Sequence, residues 1–318
     1  MQLSLVCKGI RPRQYAKGIA LELRLLRYFL AVAEELHFAR AADRLHIEQS
    51  PLSRAIKELE SELNARLFDR TTRGTVLTWP GEVLRDHAQR LFIAEEQARI
   101  AVSSAAAGFR GRLRVALSDG IQPHALTALL ARSREEEPEV LVGVSEVTLQ
   151  QQIKGLAHDL YDVGFALSDK VEKGLKAQAV WRTTLIVAVP ARHPLLACKY
   201  ASLDEVLCYP LVLFSTHSHS GLHGQVAQYL ATTGKRPIIA EYVCSQELML
   251  TLVAAGYGVG LTSEASMATY HNADVIARPI AAQPPMLTTY LVLRDTECSE
   301  QLQRFTDRAQ RIFPEILL

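Results

Sequence analysis

Apolar residues along this chain follow two rhythms, one helical throughout and one alternating between strand and helix. In LRLLRYFLAVAEELHF, the residues Leu26, Phe29, Leu30, Ala33 and Leu36 share one helical side. FARAADRLHIEQSPLSRAIKELESEL (38–63) continues as two short helices joined at His46–Gln49. Phe38, Ala41, Ala42 and Leu45 face inward on the first, and the small Ala41–Ala42 pair lets the second approach closely. Ser50 fits the N-cap of the second helix and Pro51 its first helical position, where a missing N–H does no harm. Leu52, Ile56, Leu59 and Leu63 then line one face, while Ser50, Ser53, Arg54 and Lys57 line another. RLFDRTTRGTVLT reads as two short strands around Arg73–Gly74, a basic wing. From 81 to 108 the pattern is one long helix. Leu84, Leu91, Ala98 and Ala105 stand seven apart, with Ala88 and Val102 on the adjoining row and Glu95 interrupting it, which predicts a coiled-coil seam. The small residues of SSAAAGFRG close this linker, 81–110, as a hinge.

From residue 111 the rhythm changes. GRLRVAL (111–117), VLVGVSEV (140–147) and YDVGFAL (161–167) read as strands. Helices start near Pro123 and span TLQQQIKGLAHDL (148–160). A second series starts at TTLIVAVPARHPLL (183–196) and runs through YPLVLF (209–214), a helix at 222–233, PIIAEYV (237–243) and a helix at 246–255. MLTTYLVLR (286–294) returns to the first series, and a last helix covers 299–312. Alternating strands and helices predict a parallel sheet covered on both faces. The whole is thus an α/β chain with a helical N-terminal module, a long linker helix and a two-lobed body at 111–318.

Charge sharpens this division. Residues 1–80 hold 13 Lys/Arg against 9 Asp/Glu, and the remainder holds 22 against 25, although the chain as a whole is only +1. A basic module on a mildly acidic body suits docking of one end on nucleic acid. Ser50, Ser53, Arg54 and Lys57 supply the hydroxyls, guanidinium and ammonium that bond phosphates and base edges in a major groove. The five cysteines (Cys7, Cys198, Cys208, Cys244, Cys298) are odd in number and lack a C-x-x-C, which argues against a disulfide framework and a zinc site. No stretch has the ~18 uninterrupted apolar residues of a membrane span. The first residues carry too short an apolar run for a signal peptide. A cytoplasmic protein is expected. Residues 1–22 show no period and are expected to be a disordered extension or the product of an upstream start codon.

The block at 23–80 resembles the N-terminal domain of the LysR-type transcriptional regulators. The resemblance rests on LRYFLAVAEE, FARAADRLHI, PLSRAIKELE, LFDR and Leu77–Thr78, and departs at Glu48 and Ser50, where the family more often has Ser and Pro. It implies a winged helix-turn-helix, with the motif itself at about 38–57, whose second helix enters the major groove of double-stranded DNA. Ser50, Pro51, Ser53, Arg54 and Lys57 then lie near bases and phosphates, Arg70 and Arg73 fall on the wing, and Arg40 is a further phosphate contact. Arg54 is expected to read bases and Lys57 to hold a phosphate. The resemblance also implies a homodimer formed through the linker helix, pairing of dimers into a tetramer, and a periplasmic-binding-protein-like body that holds a small-molecule effector. It extends over about 290 residues, with looser motifs in the second half.

In such sheets a ligand sits beyond the carboxyl ends of the strands, at helix N-termini. Those ends give Ser118, Asp119, Thr148, Ser215, His217, Ser245 and Gln246 as candidate effector contacts. Free N–H groups and hydroxyls suit a carboxylate, whereas Asp119 breaks an otherwise neutral lining. His217, His219 and His223 form H-x-H-x₃-H, but no Cys, Asp or Glu accompanies them within the loop, so it reads as a polar wall of the cleft and not as a metal site. The glycines of AAGYGVGLT follow a helix and enter a strand, the reverse of a dinucleotide loop. The expectation is a regulator without cofactor or metal. Two alternatives are an enzyme on the α/β body, for which no G-x-S-x-G elbow or Walker loop appears, and a plain solute receptor.

Overall fold

A computed structural model describes residues 21–71, 74–121, 123–270, 273–280 and 284–316. The expected N-terminal extension lies outside these residues except for its last two positions, as does Arg73. The backbone of Arg70 is described, whereas its side chain is outside them. The chain divides into two compact units, Met1–Ala98 and Arg99–Leu318.

In the first unit α1 (Leu23–Glu35), α2 (Phe38–Leu45) and α3 (Gln49–Leu63) are followed by the hairpin β1 (Phe68–Thr71) and β2 (Gly74–Leu77) and by the first turns of α4 (Trp79–Ala106). Leu26, Phe29, Val32, Ala41, Leu52, Ile56 and Leu59 form its core. Each of the first three helices ends on a left-handed residue: Leu36 (φ 48°), His46 (φ 55°) and Asn64 (φ 47°). At His46 the Ile47 N–H returns to the Ala42 carbonyl, which stops α2 and swings α3 across it. The Glu60 carboxylate accepts the N–H groups of Leu67 and Phe68 and so fixes the wing to the end of α3.

Three local expectations need correction. Helix α3 begins at Gln49 with Glu48 as a cap that has no side-chain bond, so Ser50 and Pro51 are its second and third residues. Pro51 is harmless there because the N–H groups of a first turn lack intrahelical acceptors. Leu36, expected on the buried side of α1, is 43% exposed as its left-handed terminus. The seam of α4 starts later than its heptads suggest. Ala88 is fully buried and Leu84 packs with it in the core of the first unit. Gly81 explains this, since a Cβ there would lie 2.2 Å from the Leu67 carbonyl oxygen. Along the heptad positions, apolar side chains stand open only further on, with Leu91 46% and Val102 72% exposed.

The second unit holds β3 (Gly111–Leu117), α5 (Pro123–Glu136), β4 (Val140–Glu146), α6 (Leu149–Ala157), β5 (Val163–Ala166) and β6 (Leu175–Pro190). A second series follows: α7 (Leu203–Val206), β7 (Leu211–Phe214), α8 (Ser220–Ala231), β8 (Ile239–Val243), α9 (Gln246–Ala254), β9 (Val259–Ser263), α10 (Glu264–Ala268) and β10 (Val275–Pro279). Strand β11 (Met286–Arg294) and helix α11 (Glu300–Ile316) end the chain. Strand order is β4-β3-β5-β11-β6-β9-β7-β8, with β10 on β6. The β3, β4 and β5 strands are parallel, and so are β7, β8 and β9. Strand β6 is longer than its apolar run suggests. Its first part, 175–184, pairs with β11 in one lobe, and its second part pairs with β9 and β10 in the other. The two lobes therefore share β6 and β11 as their crossings. Phe165, Trp181 and Phe305 anchor the first lobe, with Trp181 stacked 4.7 Å from Phe165 and its indole N–H donated to the Ala309 carbonyl. Val187, Leu211, Val212, Met249 and Val253 anchor the second.

Candidate functional site

Helix α3 turns its Leu52–Ile56–Leu59 side into the core, and this fixes what the opposite side shows. Gln49, Ser50, Ser53, Arg54 and Lys57 line one shallow open depression. Ser50, Pro51, Arg54 and Lys57 are exposed and Ser53 is half-buried. Among the described residues neither Arg54 nor Lys57 has a carboxylate partner, so both charges face water. Arg40 differs. Its guanidinium donates to the Glu35 carbonyl at 2.6 Å and lies 3.4 Å from the Glu35 carboxylate, which ties it to the end of α1.

In the second unit a small cavity of about 60 Å³ opens between the lobes. The first lobe brings Gly120 from the β3–α5 turn and Leu167 from just past β5, and the crossings bring Thr183, Leu287 and Thr289. The second lobe adds Phe214, His219, Leu222, Gln246, Thr262, Ser263 and Ser266. Two polar atoms here are buried and unpartnered, Nε2 of Gln246 and Oγ1 of Thr289. The side-chain Oε1 of Gln246 accepts from the Thr262 hydroxyl at 2.9 Å. Burial holds the His219 imidazole below its usual range, with Glu146 pulling it up.

Of the seven candidate effector contacts, Gln246 lines this cavity, and Ser118 and Asp119 adjoin it through Gly120. Asp119 is only 4% exposed and left-handed (φ 63°). One of its oxygens accepts the Gly221 N–H at the start of α8, at 3.1 Å, and the other the Ser118 hydroxyl at 3.2 Å. Burial pushes its pKa up to about 6, although Gly221, Ser118 and the backbone of Leu167 stabilise the charge. The other four candidates lie outside the lining. Thr148 caps α6 in a reciprocal pair with Gln151, and Ser245 caps α9 by accepting from Leu248 N–H. Ser215 accepts from the His217 N–H, and the His217 side chain is exposed. His223 bonds the Phe214 carbonyl, so the three histidines serve different places. Sequence reasoning missed Thr183 and Thr289. Their signal was a hydroxyl within an apolar strand, in RTTLIV and in MLTTYLV.

Known proteins match both units. The model of the LysR substrate binding domain matches residues 106–313, and that of the bacterial regulatory helix-turn-helix protein, lysR family, matches 23–82. The uncharacterized HTH-type transcriptional regulator YnfL of Escherichia coli is 31% identical over 242 residues, 76% of this chain and 82% of that protein. BenM of Acinetobacter baylyi, an HTH-type transcriptional regulator, is 27% identical over 295 residues, 92% of this chain and 96% of BenM. The crystal structure of CbnR, a LysR family transcriptional regulator, superposes with a TM-score of 0.70 at 25% identity, covering 92% of this chain and 99% of CbnR. Full-length CbnR complexed with its target DNA gives a TM-score of 0.71 at 26% identity, over 92% of this chain and all of CbnR.

Proposed function

Because this chain belongs to the LysR family of transcriptional regulators, DNA-binding proteins and not enzymes, we propose that its α3 face reads an operator while its two-lobed body senses a small molecule. The reading is carried by α3, whose buried side orders the helix and leaves Ser50, Ser53, Arg54 and Lys57 together on the outside. Arg54 presents a guanidinium able to bond both acceptors of a guanine, and Lys57, one turn on, meets a phosphate. Ser50, Pro51 and Ser53 pack near bases and backbone. Arg70 and Arg73 serve the wing. Arg40 contacts a phosphate once it exchanges Glu35 for it.

The exposed Leu91 and Val102 of α4 suit pairing with a second copy, and such homodimers pair further into tetramers. Effector binding between the lobes shifts their closure and thereby the spacing of the reading heads. Among the described residues no helix is long and apolar enough to cross a membrane. Duplex DNA as the partner places the protein in the bacterial cytoplasm.

The test is anisotropy with the full chain on a duplex selected from a random pool and on a scrambled duplex, across salt. Arg54→Ala should lose about 1–3 kcal/mol on the selected site and little on the scrambled one. Lys57→Ala should weaken both equally and flatten the salt slope by about one. Equal behaviour of the two variants on both duplexes would refute this division of labour.

A further inference from the structure

A helix N-terminus at the carboxyl edge of a sheet is where these folds collect anionic ligands. Here α8 offers that terminus at the cleft, and the chain's own Asp119 occupies it. The Gly221 N–H is bonded to the Asp119 carboxylate, and a Cβ at Gly221 would stand 2.4 Å from the same carboxylate, so nothing larger than glycine admits this contact. Ser118 and the backbone of Leu167 engage the carboxylate as well. Asp119 is therefore a satisfied internal anion and not an open docking point.

The cavity beside it contains no Lys or Arg, and burial disfavours the charged form of its one histidine, His219. Besides that imidazole, its polar side-chain groups are hydroxyls and the Gln246 amide. Two of them, Thr289 Oγ1 on a fully buried residue and Gln246 Nε2, have no partner, so the wall offers hydrogen bonds that the protein itself leaves unmade. Leu167, Phe214, Leu222 and Leu287 supply the apolar remainder. A second carboxylate brought here would meet the field of Asp119 without a cation to offset it.

We propose that the cavity takes a small uncharged molecule that accepts a hydrogen bond from Gln246, and that Asp119 is the residue that turns carboxylates away. This rests on the reading of the body as an effector sensor, and it reverses the expectation of a carboxylate drawn from the hydroxyl-rich turns. Gln246 and Thr289 hold the ligand, and Asp119 sets its charge.

The experiment uses the full chain and the melting of its second unit, read by Trp181 emission. Three matched pairs are titrated: acetamide and acetate, propionamide and propionate, benzamide and benzoate. At least one amide should raise the midpoint of the wild type at a concentration about tenfold lower than its carboxylate. Asp119→Asn removes the charge at constant shape, and its affinity for carboxylates should rise about tenfold or more with little change for amides. Asp119→Ser, which keeps a capping oxygen, is the second variant should the first misfold. Thr289→Val should weaken the amide without admitting the carboxylate.

Carboxylates that bind the wild type as well as the amides would overturn the charge rule and leave the sensor reading standing. Both series failing on wild type and variants alike would overturn the charge rule and the sensor reading together. Loss of DNA selectivity with discrimination intact would sink only the regulatory reading.

Discussion

Replacing Asp119 by Asn should stabilise the second unit near neutral pH, although it removes a charged partner of a helix N-terminus. The carboxyl climbs from 3.8 to about 6 on folding because it is buried, and at about 1.4 kcal/mol per pH unit this amounts to about 3 kcal/mol. The folded chain holds this proton more tightly than the unfolded one. The group's stabilising contribution is therefore full below about pH 4 and lost as the pH rises through about 6. At about pH 7.5 the wild type lacks it, whereas the neutral amide carries no such penalty. An amide nitrogen facing the Leu167 backbone loses roughly 1 kcal/mol of hydrogen bonding. The net gain is then about 1–2 kcal/mol, a rise of roughly 3–6 °C for a unit of this size. Trp181 is fully buried in the second unit, whereas the chain's other tryptophan, Trp79, is 75% exposed in the first, so the emission shift follows the second unit. Melting wild type and variant from about pH 5 to 7.5 should show the difference shrinking by about 1.4 kcal/mol at the acid end. A difference that stays constant across that range, or a variant less stable at every pH, would refute the reasoning.

Other positions give sharp expectations. Gly81→Ala would ordinarily gain up to about 1 kcal/mol of helix propensity. Here the added Cβ meets the Leu67 backbone oxygen, so a net loss of roughly 1–3 kcal/mol in the first unit is expected, read by denaturant titration followed by circular dichroism. Leu52→Ala empties a fully buried site behind the α3 face and should remove about 2–5 kcal/mol. DNA affinity should fall with it at growth temperature and recover on cooling, although no exposed residue has changed. Gln225→Ala removes two bonds donated to the Leu167 and Thr288 carbonyls and one accepted from the Thr288 N–H. It should destabilise the second unit by roughly 1–3 kcal/mol and speed hydrogen exchange at the Thr288 amide.

The α3 face was legible because one helical period separates an apolar stripe from a polar one, and burial of Leu52, Ile56 and Leu59 leaves the other side no freedom. The helix start was not legible, because the left-handed turn at His46 sets it and not the capping chemistry of Ser50. The seam was misread for a similar reason. Heptad spacing marks Leu84 and Ala88 as it marks Leu91, but only the three-dimensional approach of Gly81 to Leu67 shows that the first two belong to a globular core. In the body, LKAQAVWR hides half of β6 because its alternation stops at Ala179 and breaks at Val180–Trp181, where the pairing with β11 shifts register. Thr148 and Ser245 fit the rule for ligand turns and the rule for helix caps equally well, and in the structure both cap helices and stand outside the cavity lining. The cavity wall instead comes from Thr183 and Thr289 on the crossings, which no local pattern marks as neighbours.

The same Asp119 contact bears on how a ligand could reach the DNA-binding function. It joins the end of β3 in one lobe to the start of α8 in the other, beside the cavity, while Gln225 staples α8 to Leu167, just past β5, and to Thr288 on the β11 crossing. A hydrogen bond to a charged acceptor contributes about 1.5–3 kcal/mol. Coupling free energies between distant sites are typically about 1–3 kcal/mol, so one such bond, made in one lobe arrangement and broken in another, suffices for a switch. A ligand shifts that balance only by its differential affinity for the two arrangements. A molecule touching Gly120, His219 and Leu222 would lean on both sides of the contact at once. Asp119→Asn should therefore reduce the ligand-induced change in operator affinity by about tenfold, while operator affinity without ligand changes less. The measurement is operator binding with and without a saturating amide, in wild type and variant. If the ligand's effect on DNA affinity is the same in both, the contact is not part of the switch.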